Sequence, residues 1–405
     1  MTRSIAAASS LPLIEAARAL APPIAGASDE IERERRLPGW LVQAMVDAGL
    51  FRMLVPASLG GAETDLITFA EVIELIAAAD GSTAWCLGQG GGSAQIAAGI
   101  ERETARAIFG DGTAIIAWGP GAGTAAAVDG GYRITGKWPF ASGCHHATWM
   151  GGTARIINTD GSPRLRWDGA PEVRRMLFQA SVPKFFDVWD VSGLRGTGSD
   201  TYSVEDLFVS EAYSLPALLS GLPRPDLRHE PGPLYAFPLV LIYAIAFASV
   251  ALGIARGALD AFVELAGAKT ARGAPGLLRD DGVIQSQVAR SEAGTRSARA
   301  FLHAAIHDAW AAAGPETQIP IECRVPIRLA STHAIHAAAQ AVDTVYHAAG
   351  ATAIFAGNPF ERRFRDVHAV TQQGQGSQAH FKTVGQYLLG LDPNAEDADA
   401  ALAAL

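Results

Sequence analysis

Cysteine, charge and runs of basic residues are what these 405 residues have least of. The three cysteines, Cys86, Cys144 and Cys323, are scattered, odd in number and form no C-x-x-C pair. That excludes a disulfide framework and a zinc ribbon, and it leads us to expect free thiols in a reducing cytoplasm. Charged residues make up only 18%, the net charge is −9, and no long basic run occurs, which argues against a nucleic-acid surface. Glu15 and Arg18 interrupt the apolar part of the first twenty residues, so no signal-peptide h-region is expected there. No G-x-S-x-G elbow is present, which removes the usual hydrolase reading.

One long stretch lacks charge altogether. Residues Pro231 to Ala255 could span a bilayer by length. The stretch is rich in Ala, Ser and Gly, carries Pro238, and has no second span beside it, so a helix buried inside a bundle is expected. What the chain does have is a core: 49% of its residues are hydrophobic, enough for a large interior.

The pattern along the chain changes twice. Leu11 to about Gly110 reads as helices, including an apolar periodicity running from Ile31 to Leu50 and an amphipathic helix over Thr68–Ala79. Asp80 stands where the next helix needs an N-cap. From about Ile115 to Glu211 come short β-like runs broken by glycines: Ala114–Trp118, Gly131–Thr135, His146–Ala154, Met176–Val182 and Thr201–Val209. A proline-rich linker over Ser214–Pro233 follows, then Ala-rich helices near 234–269, 280–314, 324–349 and 363–390. The expected fold is α+β and mainly α: an N-terminal helical domain (1–113), a central β-domain (114–213) and a C-terminal four-helix bundle (234–395).

Several motifs carry candidate chemistry. Trp118-Gly119-Pro120-Gly121-Ala122-Gly123 is a loop whose glycines let backbone approach a planar ligand. Gly136-Lys137-Trp138-Pro139-Phe140-Ala141-Ser142-Gly143-Cys144-His145-His146-Ala147-Thr148-Trp149 offers an aromatic and a hydroxyl two residues apart. Its adjacent histidines, read as lying on a strand, face opposite ways and have no carboxylate at ligand spacing, so no metal site is expected. Ser192-Gly193-Leu194-Arg195-Gly196-Thr197-Gly198-Ser199 is a glycine turn with two hydroxyls. Near the end, Gly350-Ala351, Asn358-Pro359 and Arg365-Asp366 sit between two apolar helical patterns.

These motifs resemble, at matching order and spacing, the acyl-CoA dehydrogenase superfamily over about residues 110–390. The Ser-Gly-x-x-His-Ala-x-Trp version of the second motif is closer to its flavin hydroxylase branch, the oxygenase components of two-component monooxygenases. The resemblance implies a flavin cofactor, FAD or FMN, taken up reduced from a separate reductase, and a small aromatic or heteroatom-containing substrate. By position it assigns Trp118, Phe140, Ser142, Arg272 and Gly350 to the flavin, with Ser142 near flavin N5. The apolar helices at 234–255 and 324–349 carry more apolar surface than one bundle can hide, so a homotetramer, or at least a dimer, is expected.

The dehydrogenase base is missing. Members that dehydrogenate place a glutamate eight residues after the Arg-Asp pair, and that position is Gly374. The histidine that hydroxylases place seven residues after the pair is here Gln373, which keeps only hydrogen bonding. His368 is read as lying on a different helix face from residue 373. Monooxygenation is therefore the favoured reading, with Ser142 and Gln373 as its catalytic candidates. A dehydrogenase or oxidase with a relocated base, or a flavin-binding scaffold without chemistry, are the alternatives.

Overall fold

The structure is a computed structural model that describes residues 6–166, 169–217, 228–270, 272–273, 275–314 and 319–391. The middle of the proline-rich linker (218–227) and the chain beyond residue 391 lie outside the described residues. The N-terminal helices are α1 (Ala6–Glu34), α2 (Gly39–Asp47), α3 (Leu66–Ala79), α4 (Gly81–Ser93) and α5 (Arg102–Phe109). The apolar periodicity across residues 31–50 is not one helix. Arg35 adopts a left-handed φ of 52° and Pro38 caps α2, so the chain breaks between α1 and α2. Aspartates open the next two helices, Asp80 among them as expected. Asp65 accepts from Ile67 N and Thr68 N, and Asp80 from Thr83 N at 2.7 Å.

Eight strands follow: β1 (Ile116–Trp118), β2 (Gly123–Val128), β3 (Gly131–Trp138), β4 (Trp149–Ile157), β5 (Val173–Gln179), β6 (Lys184–Phe186), β7 (Thr201–Ser210) and β8 (Ser214–Pro216). They pair in the order β6-β7-β3-β2-β4-β5-β8, with β1 also on β4. The sequence pattern missed β2, β6 and β8. β2 is mostly Ala and Gly, and the other two are three residues long, too short to show alternation. The two histidines expected on a strand lie instead in the turn before β4.

The C-terminal helices are α6 (Leu239–Ala268), α7 (Gly282–Ala312), α8 (Ile321–Ala349), α9 (Pro359–Thr371) and α10 (Ala379–Leu388). Pro238 precedes α6 rather than sitting within it, which suits its fixed φ and missing N–H. The fourth expected helix, 363–390, is in fact α9 and α10 separated by a 3-10 turn at Gly374–Gly376. A Cβ on Gly376 would stand 3.0 Å from Thr371 O at the end of α9.

α6 is long and apolar enough to cross a membrane, yet 78% of its most apolar stretch is buried within this chain. It packs on α3, α4, α8 and α9, so one apolar core runs from the N-terminal helices into the bundle. Gly253 and Gly257, one turn apart, make that closeness possible. A Cβ on either would stand 2.4 Å from a carbonyl oxygen of α3, that of Glu74 or that of Ala78. Because α6 spends its apolar surface inside its own chain, the surplus expected to drive subunit association is not on this helix.

One buried acid locks the bundle to the sheet. Asp366 on α9 accepts from Leu194 N at 2.6 Å, across 172 residues of sequence. Burial, and then the neighbouring Asp80 and Glu32 carboxylates, push its carboxyl up to about 7 against the Leu194 hydrogen bond, which pulls it down. The folded state thus holds a proton that the unfolded chain loses at about pH 4. The contribution of this group is therefore fully favourable below about pH 4, and stability falls as pH rises from there through 7. We expect Asp366→Asn, which keeps an acceptor for Leu194 N, to flatten this slope in urea melts between pH 5 and 8. Asp366→Ala should lower stability by about 1–3 kcal/mol at pH 6, by orphaning a buried N–H. An unchanged slope in Asp366→Asn would place the titration elsewhere.

Candidate active site

The chain leaves β3 at Pro139 and makes a turn that stitches the two glycine motifs together. Gly119 allows the crossing, since a Cβ there would lie 1.8 Å from Pro139 O. Phe140 then takes a left-handed φ of 57°, an uncommon conformation for an aromatic, and its ring is 60% exposed. Its only ring neighbour among the described residues is Trp189, edge-on at 6.0 Å. Ala141 N donates to Asp200 O and Gly143 N to Thr197 O, at 3.0 and 2.9 Å. The hydroxyl turn of residues 192–199 thereby fixes the turn that carries Ser142.

Ser142 is buried, and its Oγ accepts from Trp85 Nε1 at 2.9 Å. Ser142 Oγ and Ser199 Oγ are 2.7 Å apart, Ser199 Oγ and Thr197 Oγ1 are 2.7 Å apart, and Thr197 Oγ1 donates to Leu194 O at 2.9 Å. This relay has two proton arrangements. If each hydroxyl donates toward Leu194, every proton is used within the chain. If Ser199 turns its proton toward Ser142, the Ser142 proton is released to an outside acceptor. The relay ends at Leu194, whose N–H is the one held by Asp366.

Behind Ser142 stands an aromatic wall. Trp85 stacks on Phe247 at 3.9 Å and 7°, and Phe247 lies parallel to Tyr243 at 5.7 Å. Tyr243 Oη takes a bond from Gln89 Nε2 at 3.0 Å and shares one with Ser93 at 2.8 Å. Burial raises the Tyr243 phenol to about 12, keeping it neutral. Trp118 closes the wall from β1, and the Arg175 guanidinium lies over its ring at 4.2 Å. Little in the residue pattern marks Trp85, Tyr243 or Arg175, which sit in ordinary helix and strand stretches.

The two histidines part company. His145 Nε2 pairs with Asp200 Oδ2 at 2.8 Å, while Asp200 Oδ1 takes the N–H groups of Val188 and Trp189. So a carboxylate does meet His145, but it comes from across the fold rather than from nearby sequence. His146 is turned inward beside Phe51; its Nε2 is buried without a partner, and burial followed by the charge of His145 lowers its pKa to about 4. It is a neutral imidazole with one unused nitrogen.

Gln373 lies elsewhere, in a cleft of about 670 Å³ at the end of α8 and α9. Its Oε1 accepts from Gln375 N at 2.6 Å, so the side chain caps the turn after α9. His368 lines the same cleft, contrary to the helical-face reading, because α9 ends at Thr371 and residue 373 is not on the helix. His368 Nε2 meets Asp343 Oδ1 at 2.8 Å. No hydrogen bond among the described residues joins Gln373 to Ser142. Arg272 is exposed on the hairpin between α6 and α7, and Gly350 ends α8 with φ 59°. Lys269 draws those two turns together by donating to Ala349 O and Thr352 Oγ1, both at 2.6 Å.

Comparison with known proteins bears on the fold and the family. The acyl-CoA dehydrogenase N-terminal domain family matches residues 13–104, and the acyl-CoA dehydrogenase C-terminal domain family matches residues 245–375. Indole-3-acetate monooxygenase of Pseudomonas putida is 32% identical over 90% of this chain and 90% of its own length. The flavin-dependent monooxygenase oxygenase subunit HsaA of Rhodococcus jostii (strain RHA1) is 31% identical over 87% of this chain and 91% of its own. Among solved structures, XiaF from Streptomyces sp., in complex with FADH2 and glycerol, superposes with a TM-score of 0.87 at 28% identity, covering 97% and 98% of the two chains. The 3-HSA hydroxylase from Rhodococcus sp. RHA1 gives a TM-score of 0.85 at 28% identity, covering 94% and 97%. With the fold, the paired glycine motifs and full-length relatives in agreement, this chain belongs to the flavin-dependent monooxygenases of the acyl-CoA dehydrogenase fold, and flavin is its cofactor.

Proposed function

We propose that this chain is the oxygenase component of a two-component system, taking reduced flavin from a separate reductase and hydroxylating a small aromatic substrate. The observation that carries this reading is the buried Ser142 hydroxyl, fixed by Trp85 and Ser199 within two residues of an exposed Phe140 ring. An aromatic held with one face uncovered, beside a hydroxyl whose proton can be released, fits a flavin ring and its N5. The Trp118–Gly123 loop would meet the pyrimidine edge through backbone, and the Arg272 and Gly350 turns would serve the phosphate end. Reduced flavin supplies the two electrons that divide dioxygen between a substrate hydroxyl and water.

The chain's own residues do the remainder. Ser142 donates its proton toward the cofactor, and Ser199, Thr197 and Leu194 O hold that hydroxyl in place. Trp85, Phe247 and Tyr243 keep water from the space behind it. Neutral His146 offers a hydrogen-bond nitrogen without adding charge. In the bundle cleft, His368 oriented by Asp343 has the arrangement used by general bases, whereas Gln373 is committed to its cap. A cytoplasmic setting agrees with three free cysteines.

Three outcomes test this reading. Ser142→Ala should leave reduced-flavin binding within about threefold but shift oxygen use from product to hydrogen peroxide. An effect of about 10²-fold on coupled turnover is expected for loss of one such donor. Peroxide yield equal to that of the unaltered protein would remove Ser142 from the chemistry. Acyl-CoA thioesters of any chain length should not be dehydrogenated with an artificial electron acceptor, because the loss of a placed base costs about 10²–10⁴ in rate. Turnover of about a few per second on any of them, as for an ordinary enzyme, would point to a relocated base. We also propose a homotetramer, supported by apolar side chains left exposed at Ile354, Phe355, Leu388 and Leu389. Sedimentation at micromolar concentration should give four copies; a monomer would refute it.

A further inference from the structure

Arg175 is a cation with nothing to hold. It lies on β5, half-buried, and makes no hydrogen bond and no ion pair among the described residues. Its Nε is sealed from solvent without an acceptor. The ionisable groups that act on it are the phenols of Tyr243 and Tyr202, not carboxylates, and burial lowers its pKa. The face of the guanidinium is covered by Trp118 at 4.2 Å, which satisfies its π surface but none of its five N–H donors. A buried, unpaired charge is destabilising unless something arrives to pair it. Its neighbour Arg174, by contrast, is fully used, on Ser214 and Glu172.

The position of Arg175 says what arrives. A line of contacts leads from Ser142 through Trp85 and Phe247 to Tyr243, and the Tyr243 phenol is one of the groups that act on Arg175, itself stacked on Trp118. At one end stands the hydroxyl assigned to the cofactor, along the middle an aromatic wall, and at the far end a lone guanidinium. We propose that Arg175 binds the carboxylate of an aromatic acid, fixing the ring along Trp85, Phe247 and Tyr243 with its reacting carbon toward Ser142. A single guanidinium matches one planar monoanion, two N–H donors to two oxygens. A phosphate, with its higher charge, would call for a second cation, and Arg174 is occupied. This inference rests on the monooxygenase reading and adds the substrate class to it.

The test compares an acid with its neutral isostere, by anaerobic calorimetry, with and without reduced FMN or FAD. Indole-3-acetate against indole-3-acetamide, and 4-hydroxyphenylacetate against its amide, are suitable probes. We expect at least one acid to bind about 30-fold or more tighter than its amide, the scale of a desolvated charge pair. In Arg175→Met the acid and amide should bind within about threefold of each other, and Arg175→Lys, which keeps charge but not the fork, should fall between. Reduced-flavin affinity should be the same in all three proteins. The ligand-free melting temperature of Arg175→Met should be no more than about 5 °C below the unaltered protein.

An acid-to-amide ratio under about threefold in the unaltered protein overturns the proposal, as does no binding of either acid up to about 1 mM. A preference for acid that persists in Arg175→Met overturns it as well. Loss of reduced-flavin affinity in Arg175→Met with acid preference kept would assign the guanidinium to the flavin phosphate, and a larger drop in melting temperature would make it a structural residue; both refute the proposal. Failure of reduced flavin to bind the unaltered protein counts against the monooxygenase reading alone, because the acid–amide comparison is also made without flavin.

Discussion

The bond from Leu194 N to the Asp366 carboxylate is the constraint on which the site depends. It ties α9 of the bundle to the glycine turn of the β-domain. That turn places Thr197 and Ser199, and those in turn place Ser142. An acid buried beside other acids is costly to ionise, and its carboxyl is accordingly pushed up to about 7. The cost is offset by a short bond to an N–H that would otherwise be orphaned. Ser82 on α4 adds a second stitch, taking Gly196 N at 3.2 Å. Helices from both ends of the chain therefore hold one loop of the sheet.

A dry interior follows from the same packing. α6 contributes Phe247 and Tyr243, and α4 contributes Trp85, so the wall behind Ser142 is made where two helices cross. Gly88 of α4 lies at that crossing, where a Cβ would stand 3.2 Å from the Ala246 side chain of α6. In such surroundings each polar group matters more than it would in water, because the effective dielectric is low. The neutral His146, the neutral Tyr243 and the unpaired Arg175 are three answers to one problem. Two groups stay uncharged, and the third keeps a charge without a partner.

Much of this was legible in the residues. The spaced glycine motifs, the Phe140–Ser142 pair, the Arg365–Asp366 pair and the absence of a carboxylate at Gly374 pointed to the fold and to the loss of dehydrogenation chemistry. The helix cap at Asp80 was a local signal, because a capping side chain reaches only its own first turn. β2, β6 and β8 were not legible, since short or Ala-rich strands gain their order from their neighbours rather than from alternation. His368 was placed wrongly because periodicity carried α9 past Thr371, where the chain in fact turns.

The order of helical and β segments, the glycine turns and the absence of a carboxylate at Gly374 follow from residue type and spacing along one stretch of chain. Which side chains meet across it follows from packing. Trp85 and Ser142 are 57 residues apart, and Leu194 and Asp366 are 172 apart. Packing also left Arg175 without an acceptor among the described residues, since those shown to act on it are aromatic rather than acidic.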